Sequence, residues 1–330
     1  MAGESVAGGS EVAAPRRLDL PLLARRPASS SFVRLILDAP PDWDSLPGQF
    51  INALCESDPQ AVMAAEGRVL DDAEGGEWPQ TTGLELARRW PLVRRPLSIS
   101  RVFRDAGRVR LDILVRAVGA GTQWLASRPV GATLNLVGPL GNHFTLPEGD
   151  RLCLLVGGGC GVAPIFGLAD YLVALGRRCV AFLGAANVHK MPTTFRELPE
   201  PTHHAIALTD DVSEFAESET PTVLATDDGS AGYFGTASAA VEEYFRTLWK
   251  GEPVALYGCG PMPMIRALGQ IARERDLPCQ VSLEGFMGCG IGVCLSCATK
   301  RHEPASEKGW TFRLTCRDGP VVDARDLIWE

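Results

Sequence analysis

The sequence predicts a multidomain α+β protein in three parts: an antiparallel β-barrel, an α/β domain with a parallel sheet, and a small C-terminal domain. Three observations carry this prediction. Residues 17–148 show short strands separated by turns and no long helix. Residues 149–278 alternate buried strands with helices, and residues 279–330 contain four closely spaced cysteines. A chain of 330 residues is long enough for several hydrophobic cores.

The barrel is expected from apolar stretches at residues 31–37, 49–54, 97–102 and 108–118. In the last stretch, the apolar residues Val109, Leu111, Ile113 and Val115 alternate with Arg108, Arg110, Asp112 and Leu114. This alternation is typical of a half-buried strand. Turn sequences PG, DAG, VG and GPLG favour short antiparallel strands. Residues 53–93 break the pattern, and we interpret them as an inserted, partly helical excursion.

Two segments of the barrel suit phosphate groups and a flat ring. Arg95-Pro96-Leu97-Ser98 brings a cation, a rigid proline and a hydroxyl to a strand start, so the arginine can pair with a pyrophosphate and Ser98 can hydrogen-bond a ring edge. Gly119-Ala120-Gly121-Thr122 opens a helix and offers backbone N–H groups to a second phosphate. Arg-Pro pairs are common at strand starts, so the first segment is weak evidence alone, but the two support each other.

The second part is expected to form a parallel sheet covered on both faces. We predict strands at residues 152–156, 179–183, 205–208, 223–226 and 254–257, and helices at 164–175, 236–249 and 262–275. The uncharged run from Leu152 to Ala169 contains five glycines and Pro164. This composition favours a strand, a loop and a helix start over a membrane span.

Strand ends in this part are candidates for a dinucleotide site. The residues concerned are Gly157, Gly158, Gly159 and Gly161 after one strand, Asp227 and Asp228 after another, and Cys259, Gly260 and Pro261 after a third. The glycine run lacks the full GxGxxG pattern but suits a pyrophosphate at a helix N-terminus. A structural glycine turn, a solvated acidic turn and an ordinary core cysteine are the alternatives. Position at the carboxyl ends of parallel strands favours ligand binding.

The C-terminal part carries Cys289, Cys294, Cys297 and Cys316. Gaps of four and two residues, followed by a longer gap, match the plant-type spacing for a [2Fe–2S] cluster. Glycines between the cysteines let the backbone bend and bring amide groups toward the sulfurs. A structural zinc site or reduced core cysteines are the alternatives, but zinc motifs more often pair two CxxC units, and only one occurs here.

Composition narrows the possible partners and the compartment. A formal net charge of −8 leaves no basic field for a nucleic acid backbone, so nucleic acid is not expected as a partner. Six of the ten cysteines lie outside the C-terminal motif, and we interpret them as reduced thiols of a cytoplasmic protein. Residues 1–16 have no apolar core, which predicts a disordered tail and neither a secretory signal nor a transit peptide.

The order of these motifs resembles the ferredoxin–NADP reductase superfamily, and within it the electron-transfer subunit of class 1B dihydroorotate dehydrogenase. The segments that carry the resemblance are RPLS, VGAGT, GPLGNHF, GGGCGVAPI, TDDGS, YGCGPMPM, SLEGFMGCGIG and CRDGP. It covers about residues 17–330 and implies FAD, a [2Fe–2S] cluster and NAD(H) as cofactors. The implied partner is an FMN-containing dihydroorotate dehydrogenase catalytic subunit, in a heterotetramer.

The resemblance also assigns residues by position. FAD would be held by Arg95, Pro96, Leu97, Ser98, Leu114, Val115, Arg116, Gly121 and Thr122. The nicotinamide nucleotide would lie against Gly157 to Gly161 and Cys259 to Pro261, and the cluster would be ligated by Cys289, Cys294, Cys297 and Cys316. Ser98 and Cys259 are the candidate catalytic residues. Asp227 and Asp228, with no Arg or Lys nearby in the sequence, predict a preference for NADH over NADPH.

The sequence departs from that family at three points. Residues 53–93 are longer than usual, the 18 residues between Cys297 and Cys316 are stretched, and an aromatic residue is usual at Val115. Sister families share the layout, namely the small subunit of the NADH-dependent ferredoxin:NADP oxidoreductase and the diaphorase subunits of some hydrogenases. A regulatory or scaffold protein of the same fold is an alternative of a different class, and the presence of Arg95 and of every cluster cysteine disfavours it.

Electron counting gives the implied mechanism. NADH gives up two electrons as a hydride, whereas a [2Fe–2S] cluster takes one, so a flavin is needed between them. We therefore expect hydride exchange between the nicotinamide and the flavin, followed by single-electron transfer through the cluster to a redox centre on another protein.

Overall fold

The computed structural model describes residues 14–55 and 94–329, and its first body is a closed barrel of six antiparallel strands. The strands are β1 (Arg16–Pro27), β2 (Phe32–Ala39), β3 (Phe50–Ala53), β4 (Arg95–Asp105), β5 (Arg108–Arg116) and β6 (Thr133–Leu140). They pair in the order β1-β2-β5-β4-β3-β6, and a helix, α1 (Ala120–Ser127), connects β5 to β6. The barrel prediction is confirmed. The predicted tail lies outside the described residues up to residue 13, and the predicted insertion lies outside them from residue 56 onward.

Strand β5 shows why the barrel is packed on both sides. Leu111, Ile113 and Val115 point into the barrel and are at most 1% exposed. Asp112 lies on the opposite face and is also 1% exposed, so the expectation of a half-buried strand is wrong here. The reason is that the guanidinium of Arg34 on β2 binds Asp112 and also bonds Glu214 of the α/β domain at 3.0 Å. The outer face of the barrel is therefore covered by the second body.

Two strands of the barrel were not anticipated from the sequence. Proline interrupts the apolar pattern of both, at Pro21 in β1 and at Pro139 in β6. The GPLG segment, predicted as a turn, instead supplies the last residues of β6, which ends at Leu140. This end of β6 still pairs with β1, where Arg16 lies opposite Gly138.

The second body is an eight-stranded sheet with helices packed on both faces. Its strands are β7 (Leu152–Gly158), β8 (Cys179–Ala185), β9 (Pro201–His203), β10 (Thr222–Thr226), β11 (Gly232–Phe234), β12 (Val254–Gly260), β13 (Cys279–Leu283) and β16 (Val321–Asp323). They run in the order β16-β13-β12-β7-β8-β10-β11-β9, and all pairs are parallel except β13 with β16. Helix α2 (Val162–Ala174) packs on one face, and α3 (Ala237–Thr247) and α4 (Met262–Arg275) pack on the other.

The predicted strand at residues 205–208 is wrong. These residues lie outside the strands, and the short strand β9 ends just before them, at His203. Leu208 is 48% exposed and Ile206 is only partly buried, so this apolar run lies at the surface rather than in the sheet. The uncharged run from Leu152 forms β7, a short 3-10 turn and the start of α2. None of the described helices is long and apolar enough to cross a membrane.

The C-terminal segment leaves the sheet after β13 and returns to it at β16. Between them lie a loop at residues 284–297, a hairpin of β14 (Ala298–His302) and β15 (Trp310–Leu314), and the short helix α5 (Thr315–Asp318). The sheet is continuous across residues 278 and 279, because β13 pairs in parallel with β12. The domain boundaries at 148/149 and 278/279 stay predictions.

The barrel and the sheet meet along helix α2. An added Cβ at Gly167 would lie 2.4 Å from the carbonyl oxygen of Ser100, so glycine is required for β4 to approach the helix. Arg101 of β4 binds Asp170 of α2 at 2.6 Å. On the sheet side, the hydroxyl of Tyr257 donates to the carbonyl of Thr145 at 3.0 Å. These contacts fix the carboxyl ends of the sheet strands against the barrel.

Candidate functional site

A cavity of about 330 Å³ lies between the barrel and the carboxyl ends of the sheet strands, and we call it the central cavity. Its barrel wall is formed by Pro96, Leu97 and Ser98 of β4, Leu114 and Arg116 of β5, and Thr122 of α1. Its sheet wall includes Cys160, Cys259 and Glu284, and Phe50, Met287 and Pro320 close one end. The structure thus brings most of the residues predicted to hold FAD into one cavity.

Three of the predicted residues take other positions. Val115 points into the barrel core and is fully buried, because neighbouring side chains of a strand alternate between faces, so only its backbone can face the cavity. Arg95 packs over Gly121: an added Cβ at Gly121 would lie 3.0 Å from Nε of Arg95 and 3.2 Å from Sγ of Cys55. Glycine at position 121 therefore lets the arginine approach the first turn of α1.

Thr122 fixes the entrance to helix α1. Its hydroxyl accepts a hydrogen bond from the backbone N–H of Gly119 at 3.1 Å and donates one to the carbonyl of Gly119 at 3.1 Å. The N–H of Val118 also reaches the same oxygen, at 3.2 Å. These bonds engage the N–H groups of Val118 and Gly119 and hold the segment before the helix in one conformation beside the cavity, which Val118 and Thr122 line.

A second cavity of about 480 Å³, the nucleotide cavity, lies at the ends of β7, β8, β10 and β12. Its lining residues include Gly158, Gly159, Lys190, Asp227, Ser238 and Pro261. Arg116 lines this cavity as well as the central cavity. The two cavities are therefore neighbours at the switch region of the parallel sheet, where ligands of such folds bind.

The glycine run divides into two roles. An added Cβ at Gly161 would lie 2.1 Å from the carbonyl oxygen of Cys259, and one at Gly157 would lie 3.0 Å from Cα of Val162. The structural alternative accounts for these two glycines, since they allow β7, β12 and α2 to pack closely. Gly158 and Gly159 line the nucleotide cavity, which supports the ligand-binding interpretation for them.

The two aspartates also differ. Asp227 lines the nucleotide cavity, and burial, followed by the neighbouring charge of Asp228, raises its pKa. Asp228 lies outside the lining residues, and its carboxylate accepts the backbone N–H of Ser230 at 2.9 Å. Hydrogen bonds with Ser230 lower the pKa of Asp228. Lys190, 37 residues away in the sequence, faces the same cavity as Asp227, and no local pattern signals it.

The sheet wall of the central cavity holds two thiols and a carboxyl group. Cys259 is 2% exposed, and burial raises the pKa of its thiol well above the usual range. Burial also raises the pKa of Cys160 to about 11. Both groups are therefore neutral thiols near pH 7.

Glu284 was not among the predicted site residues. Its side chain is open to the cavity while protein surrounds its other sides, and this burial raises its pKa to about 7, with Arg116 opposing the shift. Glu284 follows β13 directly, so its place after a parallel strand was the sequence signal that could have found it.

The four cysteines of the C-terminal loop form two pairs. The thiols of Cys297 and Cys316 lie 3.3 Å apart, and the sulfur of Cys289 accepts the backbone N–H of Cys294 at 3.4 Å. Within the described residues, no group of three or more His, Cys, Asp or Glu side chains is arranged around a single metal position. Two pairs fit two irons with two thiolates each, whereas a zinc site would need one tetrahedron.

Backbone amides surround the sulfur of Cys289. The N–H groups of Ile291, Val293 and Cys294 donate to it at 3.5, 3.3 and 3.4 Å, and the N–H of Gly292 donates to the sulfur of Cys316 at 3.1 Å. Such donors stabilise negative charge on thiolate ligands. The loop is therefore shaped as the cluster prediction requires.

The cysteine loop adjoins the central cavity. Phe50 lines the cavity and also packs against Cys297 and Cys316 in one buried cluster. Met287, two residues before Cys289, lines the same cavity. The nucleotide cavity, the central cavity and the cysteine loop thus follow one another without an intervening body.

Comparison with solved structures gives the class of protein. An NADH-dependent reduced ferredoxin-NADP oxidoreductase has a TM-score of 0.65 at 23% identity, covering 98% of this chain and 91% of that one. The ferredoxin reductase in carbazole 1,9a-dioxygenase has a TM-score of 0.55 at 20% identity, covering 81% of this chain and 68% of that one. At these identities the likeness defines the fold, which is ferredoxin reductase-like, and the predicted fold class is confirmed.

Sequence comparison gives the family. Residues 284–328 match the iron-sulfur cluster binding domain of dihydroorotate dehydrogenase B. The dihydroorotate dehydrogenase B (NAD(+)) electron transfer subunit of Bacillus caldolyticus is 38% identical over 241 residues, which is 72% of this chain and 81% of that protein. The protein of the same name in Desulforamulus reducens is 35% identical over 242 residues, 73% and 82% of the two chains. The chain belongs to the family of dihydroorotate dehydrogenase B electron transfer subunits.

This membership confirms the resemblance found from the order of the motifs. The chain is an electron-transfer subunit of an oxidoreductase, and the cofactor set of FAD, [2Fe–2S] cluster and NAD(H) agrees with its family and fold. A subunit of this kind works with a catalytic subunit, so the expectation of a protein partner holds in this general form. The roles of individual site residues stay predictions.

Proposed function

We propose that the chain carries electrons between NAD(H) and an FMN-containing subunit that oxidises dihydroorotate, by way of an FAD and a [2Fe–2S] cluster. The observation that carries the proposal is the continuous series of sites. Arg116 is shared by the nucleotide cavity and the central cavity, and Phe50 is shared by the central cavity and the cysteine loop. The names of the family members, which include NAD(+) and dihydroorotate dehydrogenase, agree with this assignment.

The central cavity suits FAD. Ser98 and the backbone of residues 114–116 offer hydrogen-bonding groups to a ring edge, and Leu97 and Leu114 offer apolar contact. Arg95, which packs over Gly121 in the first turn of α1 beside the cavity, suits the pyrophosphate. When bound, FAD supplies the conversion between a two-electron hydride donor and a one-electron acceptor. Cys160 and Cys259 contribute neutral thiols to the sheet wall, beside the carboxyl group of Glu284.

The nucleotide cavity suits the dinucleotide. Gly158 and Gly159, near the start of α2, would let the backbone approach a pyrophosphate, and the carboxylate of Asp227, which lines the cavity, could accept hydrogen bonds from a ribose. Cys259, the last residue but one of β12, lines the central cavity, and Pro261, two residues further on, lines the nucleotide cavity, so Cys259 would lie near the nicotinamide and the flavin ring. Its role is to define the space of hydride transfer rather than to titrate, because its thiol stays protonated.

The cysteine loop suits the cluster, which Cys289, Cys294, Cys297 and Cys316 would hold. The loop also presents the surface on which a partner would dock. Ile291, Val293 and Leu295 are 56%, 74% and 63% exposed, as expected for a small apolar patch beside the cluster. A heterotetramer with the catalytic subunit and a cytoplasmic location belong to the same proposal.

Isolation of the native complex tests the proposal. We expect the tagged chain to copurify with an FMN protein and the complex to reduce NAD+ with dihydroorotate. The complex should lose that activity, but not its NADH oxidation with an artificial acceptor, when the partner is removed. Copurification of a hydrogenase or of a ferredoxin:NADP oxidoreductase large subunit would instead place the chain in a sister family.

A further inference from the structure

The outward face of strand β3 is buried, which is unusual for the outer face of a barrel strand. Ile51 and Ala53 point into the barrel core. Phe50 and Asn52 point outward, yet they are only 3% and 1% exposed. The cover is the cysteine loop, since Phe50 packs against Cys297 and Cys316 and Asn52 contacts Cys289.

Asn52 makes one side-chain hydrogen bond that joins the barrel to a predicted cluster ligand. Its Nδ2 donates to the carbonyl oxygen of Cys289 at 2.7 Å, across 237 positions in the sequence. Its Oδ1 is buried and has no hydrogen-bond partner among the described residues. A buried amide with an unsatisfied oxygen costs stability, so packing alone does not explain an asparagine here.

The loop is shaped to receive this side chain. An added Cβ at Gly290 would lie 2.3 Å from Nδ2 of Asn52, and Gly290 has a φ of +68° that favours glycine. The bond therefore fixes the peptide between Cys289 and Gly290. The chain that follows this peptide supplies the N–H groups of Ile291, Val293 and Cys294, which converge on the sulfur of Cys289.

Strand β3 also lies beside the strand predicted to bind the flavin. In the β3–β4 pairing Asn52 is opposite Pro96, and Phe50 is opposite Ser98. The same four-residue strand thus touches the flavin segment along its edge and the cysteine loop with its outer face.

We propose that Asn52 is a positioning residue that holds the Cys289 side of the cluster against the flavin strand and orients the amides around the Cys289 sulfur. This inference rests on the proposed cluster. Asn52 would not bind iron itself but would orient a cysteine that does, so its loss should weaken metal binding without removing a ligand. Phe50, the other outward residue of the strand, lines the central cavity and belongs to the buried cluster that contains Cys297 and Cys316.

The test replaces Asn52 by leucine and measures the cluster itself. In Asn52→Leu we expect iron release to a chelator to be about 10- to 100-fold faster than in the unmodified protein, and the electron paramagnetic resonance spectrum of the reduced cluster to change. Flavin content should not change, because the cavity-lining residues remain. Asn52→Asp keeps the size and removes the donor, so it should behave in the same way and covers the case in which the leucine variant folds poorly.

Asn142→Leu is the matched control. Asn142 lies just after β6, and its Nδ2 also donates at 2.7 Å to a backbone carbonyl of the C-terminal segment, that of Val321. If the effect came from general loosening of the C-terminal segment, iron release would be faster in both the Asn52 variants and the control. The proposal expects faster iron release and a changed spectrum only in the Asn52 variants. Equal iron release and unchanged spectra in the Asn52 variants and the control would overturn the inference. Absence of iron from the unmodified protein would instead overturn the proposed function.

Discussion

At the scale of single residues, neighbouring sites are connected by side chains that contact both of them. Arg116 lines both cavities, and its guanidinium lies 5.9 Å from the ring centroid of Phe32 at the nucleotide side. Its charge opposes the rise in the pKa of Glu284 and lies close enough to act on the thiol of Cys160 as well. Burial therefore keeps the two thiols protonated and raises the pKa of Glu284, and the charge of Arg116 opposes the shift at Glu284 and Cys160.

Glu284 should give the protein a pH-dependent stability that Glu284→Gln removes. Its folded-state pKa of about 7 lies above the ordinary value, so the folded state binds a proton more tightly than the unfolded state. Its stabilising contribution is complete below the unfolded pKa and is lost as pH rises toward about 7. We expect the Tm of Glu284→Gln, relative to the unmodified protein, to rise between pH 5 and pH 8 in thermal unfolding. Glu307→Gln, at an exposed hairpin site, should show a constant difference.

Asp227 should set a preference for NADH over NADPH. Its carboxylate faces the nucleotide cavity and would repel a 2′-phosphate, although Lys190 in the same lining limits the effect. We expect kcat/KM for NADH to exceed that for NADPH by roughly several-fold to a hundredfold, and Asp227→Ser to narrow the ratio. Asp228→Asn is the control, because an amide oxygen can still accept the N–H of Ser230 and the ratio should not move. Equal turnover of both nucleotides by the unmodified protein would show that this turn does not face the ribose.

At the scale of elements, the predicted cluster ligands lie outside the lining of the central cavity. Cys294 is exposed, and its loop contributes Glu284, Gly285 and Met287 to that lining but none of its cysteines. Cys294→Ser should therefore lose the cluster and keep FAD, since a serine hydroxyl is a poor iron ligand. Iron and flavin assays should give about two irons per chain before the change and almost none after it. Cys279→Ala is the control, because Cys279 is a buried cysteine of β13, and this variant should keep both cofactors. Zinc in place of iron in the unmodified protein would contradict the cluster assignment.

The elements also show how far sequence reasoning reaches. Helix α4 begins at Met262 and ends at Arg275 as predicted, because Pro261 and the 3.6-residue periodicity are local signals. The apolar run at 205–208 and the strands β1 and β6 were misjudged or missed, because burial at those places depends on neighbours far away in the chain. Spacing alone singled out the four cysteines as candidates, whereas Lys190 and Asn52 carry no local signal and Glu284 carries only its place after β13. Only the meeting of barrel, sheet and loop places them.

At the scale of the whole molecule, the buried ion pairs across the barrel and sheet hold the cavities in register. Arg34 of the barrel binds Asp112 and reaches Glu214 at 3.0 Å, and Thr193 also donates to Glu214. Arg101 binds Asp170 at 2.6 Å on the other side of the same boundary. Breaking such a buried network costs about 3–5 kcal/mol. The two walls of the central cavity therefore keep a fixed separation, which hydride transfer between two bound rings requires.

The isolated chain should oxidise NADH with an artificial acceptor and show no activity toward dihydroorotate, which the proposed function assigns to the partner. Docking of that partner should depend on the patch formed by Ile291, Val293 and Leu295. In Val293→Asp the side chain changes while the N–H that donates to the sulfur of Cys289 remains, so the cluster should persist.

An unpaired charge buried in an interface costs several kcal/mol, so we expect this variant to bind the partner about a hundredfold more weakly or worse. Val130→Asp is the matched control, since Val130 is 61% exposed on the barrel, outside the cysteine loop. Measurement of NADH oxidation and of dihydroorotate-dependent NAD+ reduction, with and without the catalytic subunit, separates the two functions. Full dihydroorotate activity in Val293→Asp with the partner present would show that electrons leave the chain by another surface.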